Sequence, residues 1–549
     1  MSACASLGLS STLLPGTLWA LGKDAPTLTP ALIEAASKLA GLTLSSEQIA
    51  LMVNVLSMQV EAAKGVRSIP LPNAAPPAFL FDPVLPGTSW DTQAKPIKVS
   101  PAPAPKPVGS DLESLAFVPV RQLAELLRRR KVSSLALTEM FLARLERLTQ
   151  QLYCVITLTR DRALAQAREA DRELAAGRYR GLLHGIPWGA KDLLAVKGYP
   201  TTWGAGGFEQ QTFEEDATVV KRLDAAGAVL VAKLSLGELT MGDQWFGGTT
   251  RNPWKPDEGS TGSSAGSASA VAAGGVPFAL ASETNGSISS PASRCGATGL
   301  RPTFGRVPRT GAMSFSWTLD KVGVMARTVE DTALVLSTIQ GPDGVDRTVR
   351  QVPFNWNAGQ TVQGIRVGYL QADFEQERPD KAFDDAALAV LRKLGVKLIP
   401  VALPAIPPAL MLPLMSTEAA AAFDFLTRSG RDAQLVGQGE ENWPNVFRVA
   451  QLQSAVDYLN AQRVRVLTME GMAKTFEQVD VIVAPTGDPQ VLMTNLTGHP
   501  AIIVPNGFRE NKTPVSLTFL GRLYGEAKMM ALARLYQDAT GFHLPHPNL

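Results

Sequence analysis

Lys191 is the residue of this chain whose setting most suggests a base. It follows Gly185-Ile186-Pro187-Trp188-Gly189-Ala190 and precedes Asp192 and the apolar run Leu193-Leu194-Ala195-Val196. A lysine is most often a solvated surface charge. Apolar flanks on both sides put this one in an interior, and burial disfavours the ammonium form, which leaves an amine able to accept a proton. Two serine-bearing stretches follow it, Thr261-Gly262-Ser263-Ser264-Ala265-Gly266-Ser267 and Thr284-Asn285-Gly286-Ser287-Ile288, with Ser287 24 positions after Ser263. Each serine alone reads as a cap or turn residue. It becomes a nucleophile only if a base takes its proton, and the three stretches in this order keep that possibility open. Other chemistry is poorly supplied. The four histidines are His184, His499, His543 and His546, and the last two fall within the final seven residues. The three cysteines, Cys4, Cys154 and Cys295, are far apart and odd in number, so neither a disulfide framework nor a zinc spacing is present.

These residues need elements that bring them together. Gly259 to Gly275 holds small residues throughout, and small residues let backbone approach backbone or a ligand closely. Ala268 to Gly274 suits a helix and Val276 to Ala281 a strand, so the chain can leave Ser263 and return near Ser287 at one end of a sheet. Around this segment the pattern predicts helices over 119–130, 134–151, 160–176 and 216–226, with strands at 154–158 and 229–231. Further strands are expected at 365–370, 396–401, 479–484 and 501–504, and helices at 383–394 and 524–537. Strands alternating with helices predict an α/β domain with a parallel or mixed sheet.

The N-terminal part differs. Residues 1–22 carry no charged side chain and read as an export-signal-like segment without a basic start, which points to a periplasmic or secreted protein; otherwise the protein is cytoplasmic. Residues 23–68 predict a helical hairpin. Its first helix runs from Pro30 to Ala40 after Thr29, and its second opens with a capping box of Ser45 and Gln48 and carries an apolar face of Ile49, Met52, Val53, Leu56 and Val60. That face needs a partner, so the hairpin should dock on the main body. Residues 69–111 are proline-rich and predict an extended linker. The catalytic domain is expected to fill 112–549. With 52 basic against 50 acidic residues and no basic block, the chain offers no groove for nucleic acid, and no stretch reads as a stable membrane span.

The ordered blocks HGIPWGAKD at 184–192, DATVVKRLDAAGAVLVAKLSLGEL at 216–239, TRNPW at 250–254, GSSAGSASAVAAG at 262–274, CGATGLRPTFGRV at 295–307 and NLTGHPAIIVP at 495–505 carry a resemblance. Over most of residues 115–545 the chain resembles the amidase signature family of serine hydrolases. The resemblance implies one α/β fold around a mixed, twisted sheet covered by helices, and a Ser-cisSer-Lys triad. The family lysine falls on Lys191, the serine after a cis peptide on Ser263 and the nucleophile on Ser287. Ser263 then bridges, taking the proton of Ser287 while passing its own to neutral Lys191. The backbone N–H groups of Thr284, Asn285, Gly286 and Ser287 would hold the oxyanion. Gly262 relieves crowding before the bridge, and Ser264 orients the lysine or the bridge. The implied enzyme is a cofactor-free amidase acting on small-molecule amides, with aryl amides, carbamates or urethanes and esters as its expected substrates, and working as a monomer or homodimer.

The chain departs from the family pattern at Glu283, Asn285 and Ser289, where Asp, Gly and Arg are usual. The arginine absent at Ser289 leaves the Glu283 carboxylate without its usual partner, and Arg294 is the expected replacement. Asn285 adds a side chain to the oxyanion loop and is expected to narrow the substrate range. Apolar stretches at Leu410 to Leu467, Trp245-Phe246 and Met313 to Trp317 could line the substrate pocket or simply pack. Three other readings are kept: the amidotransferase subunit that makes glutaminyl-tRNA, an inactive binding or scaffold protein, and an α/β-hydrolase with Ser264 as nucleophile and His499 as base. The last requires a strand before Ser264, and Asn252 to Thr261 (NPWKPDEGST) does not read as one.

Overall fold

Short runs of β-branched and apolar residues build one mixed sheet of eleven strands in the computed structural model, which describes residues 28–39, 43–53, 56, 73, 79–101, 109 and 111–549 except 488. The export-like stretch 1–22 lies outside the described residues. We number the strands β1 (Val155–Leu158), β2 (Pro187–Lys191), β3 (Val229–Leu234), β4 (Phe278–Glu283), β5 (Thr298–Arg301), β6 (Lys321–Ala326), β7 (Val367–Leu370), β8 (Leu398–Val401), β9 (Val481–Pro485), β10 (Ala501–Phe508) and β11 (Pro514–Gly521). Their order across the sheet is β1-β3-β2-β4-β6-β5-β10-β11-β9-β7-β8. β2 runs parallel to both β3 and β4, β7 runs parallel to β8 and β9, and the remaining pairs are antiparallel. Every residue of β2, β3, β5, β6, β9 and β11 is buried, as expected of strands covered on both faces.

The expected helices form close to their predicted limits, at Val120–Arg128, Ser134–Leu152, Arg160–Ala175, Thr218–Ala225, Lys381–Lys393 and Glu526–Thr540. The longest of these starts where the Ser133 hydroxyl accepts the N–H of Ala136 and stops at Tyr153 in a left-handed conformation. Four strands are additional to those the pattern predicts. β2 and β11 open on proline, β6 opens on lysine and β5 (Thr-Gly-Leu-Arg) holds a glycine and ends on a charge, so each lacks the signal that marks a strand.

Contacts divide the chain into two compact units. One takes the described residues up to Pro76 with Ala409–Ala433 and Gly437–Leu467; the other takes Pro77–Pro408, Gln434–Val436 and Thr468–Leu549 and contains the whole sheet. In the smaller unit Ile33, Ala36, Ile49 and Leu56 share a core. The capping box forms: Ser45 N donates to Gln48 Oε1 at 2.7 Å, and Gln48 N donates to Ser45 Oγ at 3.3 Å. The helices of 409–433 and 437–467, which the sequence pattern places within the 112–549 domain, group with this unit.

The proline-rich segment does more than connect. Its described residues 79–101 lie along the larger unit as a strap. Asp82 pairs with Arg350, Lys95 N donates to Asn355 Oδ1 at 2.9 Å, and Ser100 Oγ donates to Glu330 at 2.5 Å. Phe81 meets Phe304 edge-on at 5.1 Å and Trp90 meets Tyr524 at 5.2 Å. Prolines set φ without needing an N–H partner, which suits a chain held by its side chains.

Candidate active site

The sheet explains why a lysine, two serine loops and a carboxylate meet. β2 and β4 are parallel neighbours with Gly189 opposite Ala279 and Ala190 opposite Leu280, so Lys191 ends its strand level with Ala281 and beside Ser282. The helix Ala265–Ala272 packs on β2, β3, β4 and β6 and returns the chain to that same edge. All of its residues are buried, which is why it consists of Ala, Gly, Ser and one Val. β4 ends at Glu283, the turn 284–288 follows, and a second short helix runs over Ser289–Cys295.

Lys191 is fully buried. Its Nζ lies 2.8 Å from Ser263 Oγ, 3.0 Å from Ser264 Oγ and 3.0 Å from Ser282 Oγ. Burial pushes its pKa well below the ordinary lysine value, and the negative charges of Asp320 and Glu283 oppose this only in part. The amine is therefore disposed to be neutral. Ser264 occupies the position before the first helical residue, yet its hydroxyl caps no backbone N–H of that helix. It donates instead to Ser282 O at 3.0 Å and accepts the Ser282 N–H at 3.2 Å. With its single proton committed to that carbonyl, Ser264 Oγ faces Lys191 as an acceptor.

Ser287 stands in the adjoining turn and is 7% exposed. Its carbonyl accepts the Ser264 N–H at 3.0 Å, which ties the nucleophile candidate to the loop bearing Ser263. The Gly262–Ser263 peptide is cis. A Cβ on Gly262 would fall 1.7 Å from the carbonyl oxygen of Gly242, so backbone fills the space a side chain would need. Gly286 has φ +81°, the left-handed conformation a non-glycine residue adopts only with strain. Among the described residues, no protein acceptor takes the N–H of Thr284, Asn285, Gly286 or Ser287. The Thr284 hydroxyl donates to Asp320 Oδ1 at 2.7 Å, while Asp320 Oδ2 accepts the N–H groups of Phe315 and Ser316 at 2.8 and 2.9 Å. A small cavity at this point is lined in part by Ser282, Thr284, Asp320, Met313 and Phe315, within the third apolar stretch named above.

Glu283 holds the turn from behind. Its Oε2 accepts the N–H groups of Ile288 at 2.7 Å and Ser289 at 2.8 Å. Its Oε1 accepts from Asn495 Nδ2 at 2.7 Å and from Arg301 at 2.6 Å. Burial raises the carboxyl pKa, but the Arg301 charge and these hydrogen bonds outweigh it and hold the pKa down to about 2. The expected replacement for the missing arginine is thus corrected. Arg294 lies in the last turn of the helix Ser289–Cys295 and pairs with Glu258, away from Glu283. Arg301, at the end of β5, supplies the charge.

Ser282, Asp320, Arg301 and Asn495 carry no signal of their own in the sequence. Ser282 is next to the predicted strand 276–281, but only the register shows that it faces Lys191. Asp192, beside Lys191, is spent elsewhere: it pairs with Lys233 at 2.5 Å, both side chains fully buried, and accepts from Thr202. The Ser264–His499 reading finds no geometry. Ser264 Oγ is engaged by Lys191 and Ser282, whereas His499 contacts Thr497 at 2.9 Å and stacks on Phe476. Burial, with the charge of Arg301, pushes His499 down to about 3.

The sequence matches the family described as Amidase over residues 136–493. A glutamyl-tRNA(Gln) amidotransferase subunit from Thermosynechococcus vestitus is 35% identical over 481 residues, covering 78% of this chain and 99% of that protein. Its counterpart from Methylococcus capsulatus is 37% identical over 476 residues, covering 78% of this chain and 98% of that protein. Among solved structures, the peptide amidase of Stenotrophomonas maltophilia superposes with a TM-score of 0.70 at 30% identity, covering 79% of this chain and 99% of that one. A bacterial aryl acylamidase shares the fold, with a TM-score of 0.70 at 22% identity, covering 78% of this chain and 97% of that one.

Proposed function

The chain belongs to the amidase signature family of carbon–nitrogen hydrolases, and from that premise we propose that it works alone as a serine amidase, with Ser287 as nucleophile and Ser263 and Lys191 as its proton relay. The observation that carries this reading is the 2.8 Å contact between the buried Lys191 amine and Ser263, on a loop tied to Ser287 through Ser264. Ser287 attacks the substrate carbonyl as its proton passes to Ser263, whose own proton moves to Lys191. The oxyanion forms within the turn 284–287, where the backbone N–H groups meet it. A preorganised donor of this kind is worth about 3–4 kcal/mol in the transition state. Lys191 then returns its proton through Ser263 to the leaving amine. Water then attacks the acyl-enzyme as its proton passes through Ser263 to Lys191, and that proton returns to Ser287 as the acid leaves and Ser287–OH is restored.

Carbamates and esters present the same carbonyl, so aryl amides, urethanes and esters form the substrate class, and the apolar Met313 and Phe315 beside the turn suit a hydrophobic substituent. A second reading is favoured by the relatives named as amidotransferase subunits, which match over almost their whole length. In that reading the chain would need partner subunits. About a fifth of this chain lies outside the match, which supports independent work. The test is to purify the chain by itself and assay a panel of aryl amides, carbamates and esters. Turnover that Ser287→Ala abolishes supports the hydrolase; turnover appearing only with partner subunits supports the second reading.

A further inference from the structure

The strap and the rest of the larger unit enclose a cavity of about 440 Å3, lined by a set of residues separate from Lys191, Ser263 and Ser287. That volume is within the range of small-molecule sites, about 300–1,000 Å3. Its strap side includes Trp90, Lys95 and Lys98, and the opposite side includes Trp356, Tyr524 and Lys528. Two features select a ligand. The first is charge. The lining holds four cations, Lys95, Lys98, Arg522 and Lys528, against two carboxylates, Asp91 and Asp480. Asp91 is matched by Lys95 at 3.1 Å. Asp480 is already held by Arg366 at 3.2 Å, with Arg522 at 3.5 Å and Lys528 at 3.7 Å, so one carboxylate faces three cations. Lys98 has no ion-pair partner among the described residues. Positive charge is therefore in excess, and an anion would be attracted.

The second feature is shape. Trp90 and Tyr524 pack on each other with ring centroids 5.2 Å apart and Arg306 lies over the Tyr524 ring, so half-buried Trp90 is the aromatic surface left to a ligand, while Trp356 is 1% exposed. The indole N–H of Trp356 has no acceptor among the described residues. An aromatic face takes flat groups, and Trp356 adds an indole N–H donor to the cavity lining. We propose that this cavity is a second ligand site that binds a small planar organic anion, an aromatic carboxylate, between the strap and the catalytic body.

The test is isothermal titration of the full chain with benzoate, with nitrobenzene as its neutral, non-hydrolysable isostere, and with inorganic phosphate. Benzoate is expected to bind saturably and at least ten-fold tighter than either of the others. The Lys98→Ala/Lys528→Ala double variant should weaken benzoate at least ten-fold while keeping the wild-type melting temperature and amidase turnover, and Trp90→Ala, which also removes a contact holding the strap, should weaken benzoate with turnover unchanged. Nitrobenzene binding as tightly as benzoate would overturn the role of charge, and phosphate binding as tightly would overturn the role of the aromatic surface. Benzoate affinity unchanged in the double variant would place binding elsewhere and overturn the site.

Discussion

Glu283 and Arg301 form an ion pair of 2.6 Å in which neither side chain is exposed, although 18 residues separate them in the chain. The carboxylate it holds accepts the two backbone N–H groups that end the turn carrying Ser287. The pair therefore links the core of the sheet to the position of the nucleophile.

Breaking this pair should be costly. Arg301→Leu would leave a buried carboxylate without its counter-charge, an effect of about 3–5 kcal/mol. Arg294→Ala removes a partly exposed pair with Glu258 and should change stability by less than about 1 kcal/mol. Urea unfolding of the two variants checks the contrast, and equal losses would assign Glu283 to the wrong arginine.

Acid should loosen the same place. The Glu283 pKa is depressed from 4.5 to about 2 in the folded protein, so its contribution is complete above about pH 4.5 and is lost as pH falls toward 2. The amount is on the order of 3 kcal/mol. Melting temperatures recorded between pH 5 and pH 2.5 should fall less steeply in Glu283→Gln than in the wild type, relative to each protein's value at pH 7.

Activity should follow the opposite limb. A base must be neutral, so kcat/KM should rise with pH through the Lys191 pKa and then level off. Because that pKa is well below the usual lysine range, the plateau should be reached below about pH 10. A rate that does not vary between about pH 5 and pH 9 would count against lysine as the base.

Asn285 offers a test of specificity. Among the described residues its buried Oδ1 has no hydrogen-bond partner, in the turn next to the nucleophile. Asn285→Gly removes that atom and the side chain's bulk. Stability should change little or rise, and kcat/KM for bulky aryl amides should increase relative to acetamide-sized ones. An unchanged ratio would show that the side chain does not limit the substrate.

The order of the chemical groups is legible in the sequence because they sit in local blocks. Lys191 with its apolar flanks, the small residues of 262–274 and the turn at 284–287 each announce their own environment. The partners that hold them are set by sheet register, which one sequence does not display. Arg301 sits near in sequence but reaches Glu283 through β5 and β6, whereas the nearer Arg294 pairs with Glu258. Asn495 arrives from 212 residues away. Lys321 opens β6, where a charged first residue hides a strand whose every member is buried. The prolines of 79–101 correctly exclude helix. Their spacing carries no sign that Asp82, Lys95 and Ser100 each have a partner on the larger unit.

The central claim is that Ser287 becomes acylated under the control of Lys191. Intact-protein mass spectrometry after treatment with a fluorophosphonate tests it most directly, with peptide mapping of the adduct. The account predicts one adduct on Ser287, none in Ser287→Ala, and labelling slowed at least about 100-fold in Lys191→Met. An adduct mapped to Ser263 or Ser264, or labelling that persists in Ser287→Ala, would contradict it.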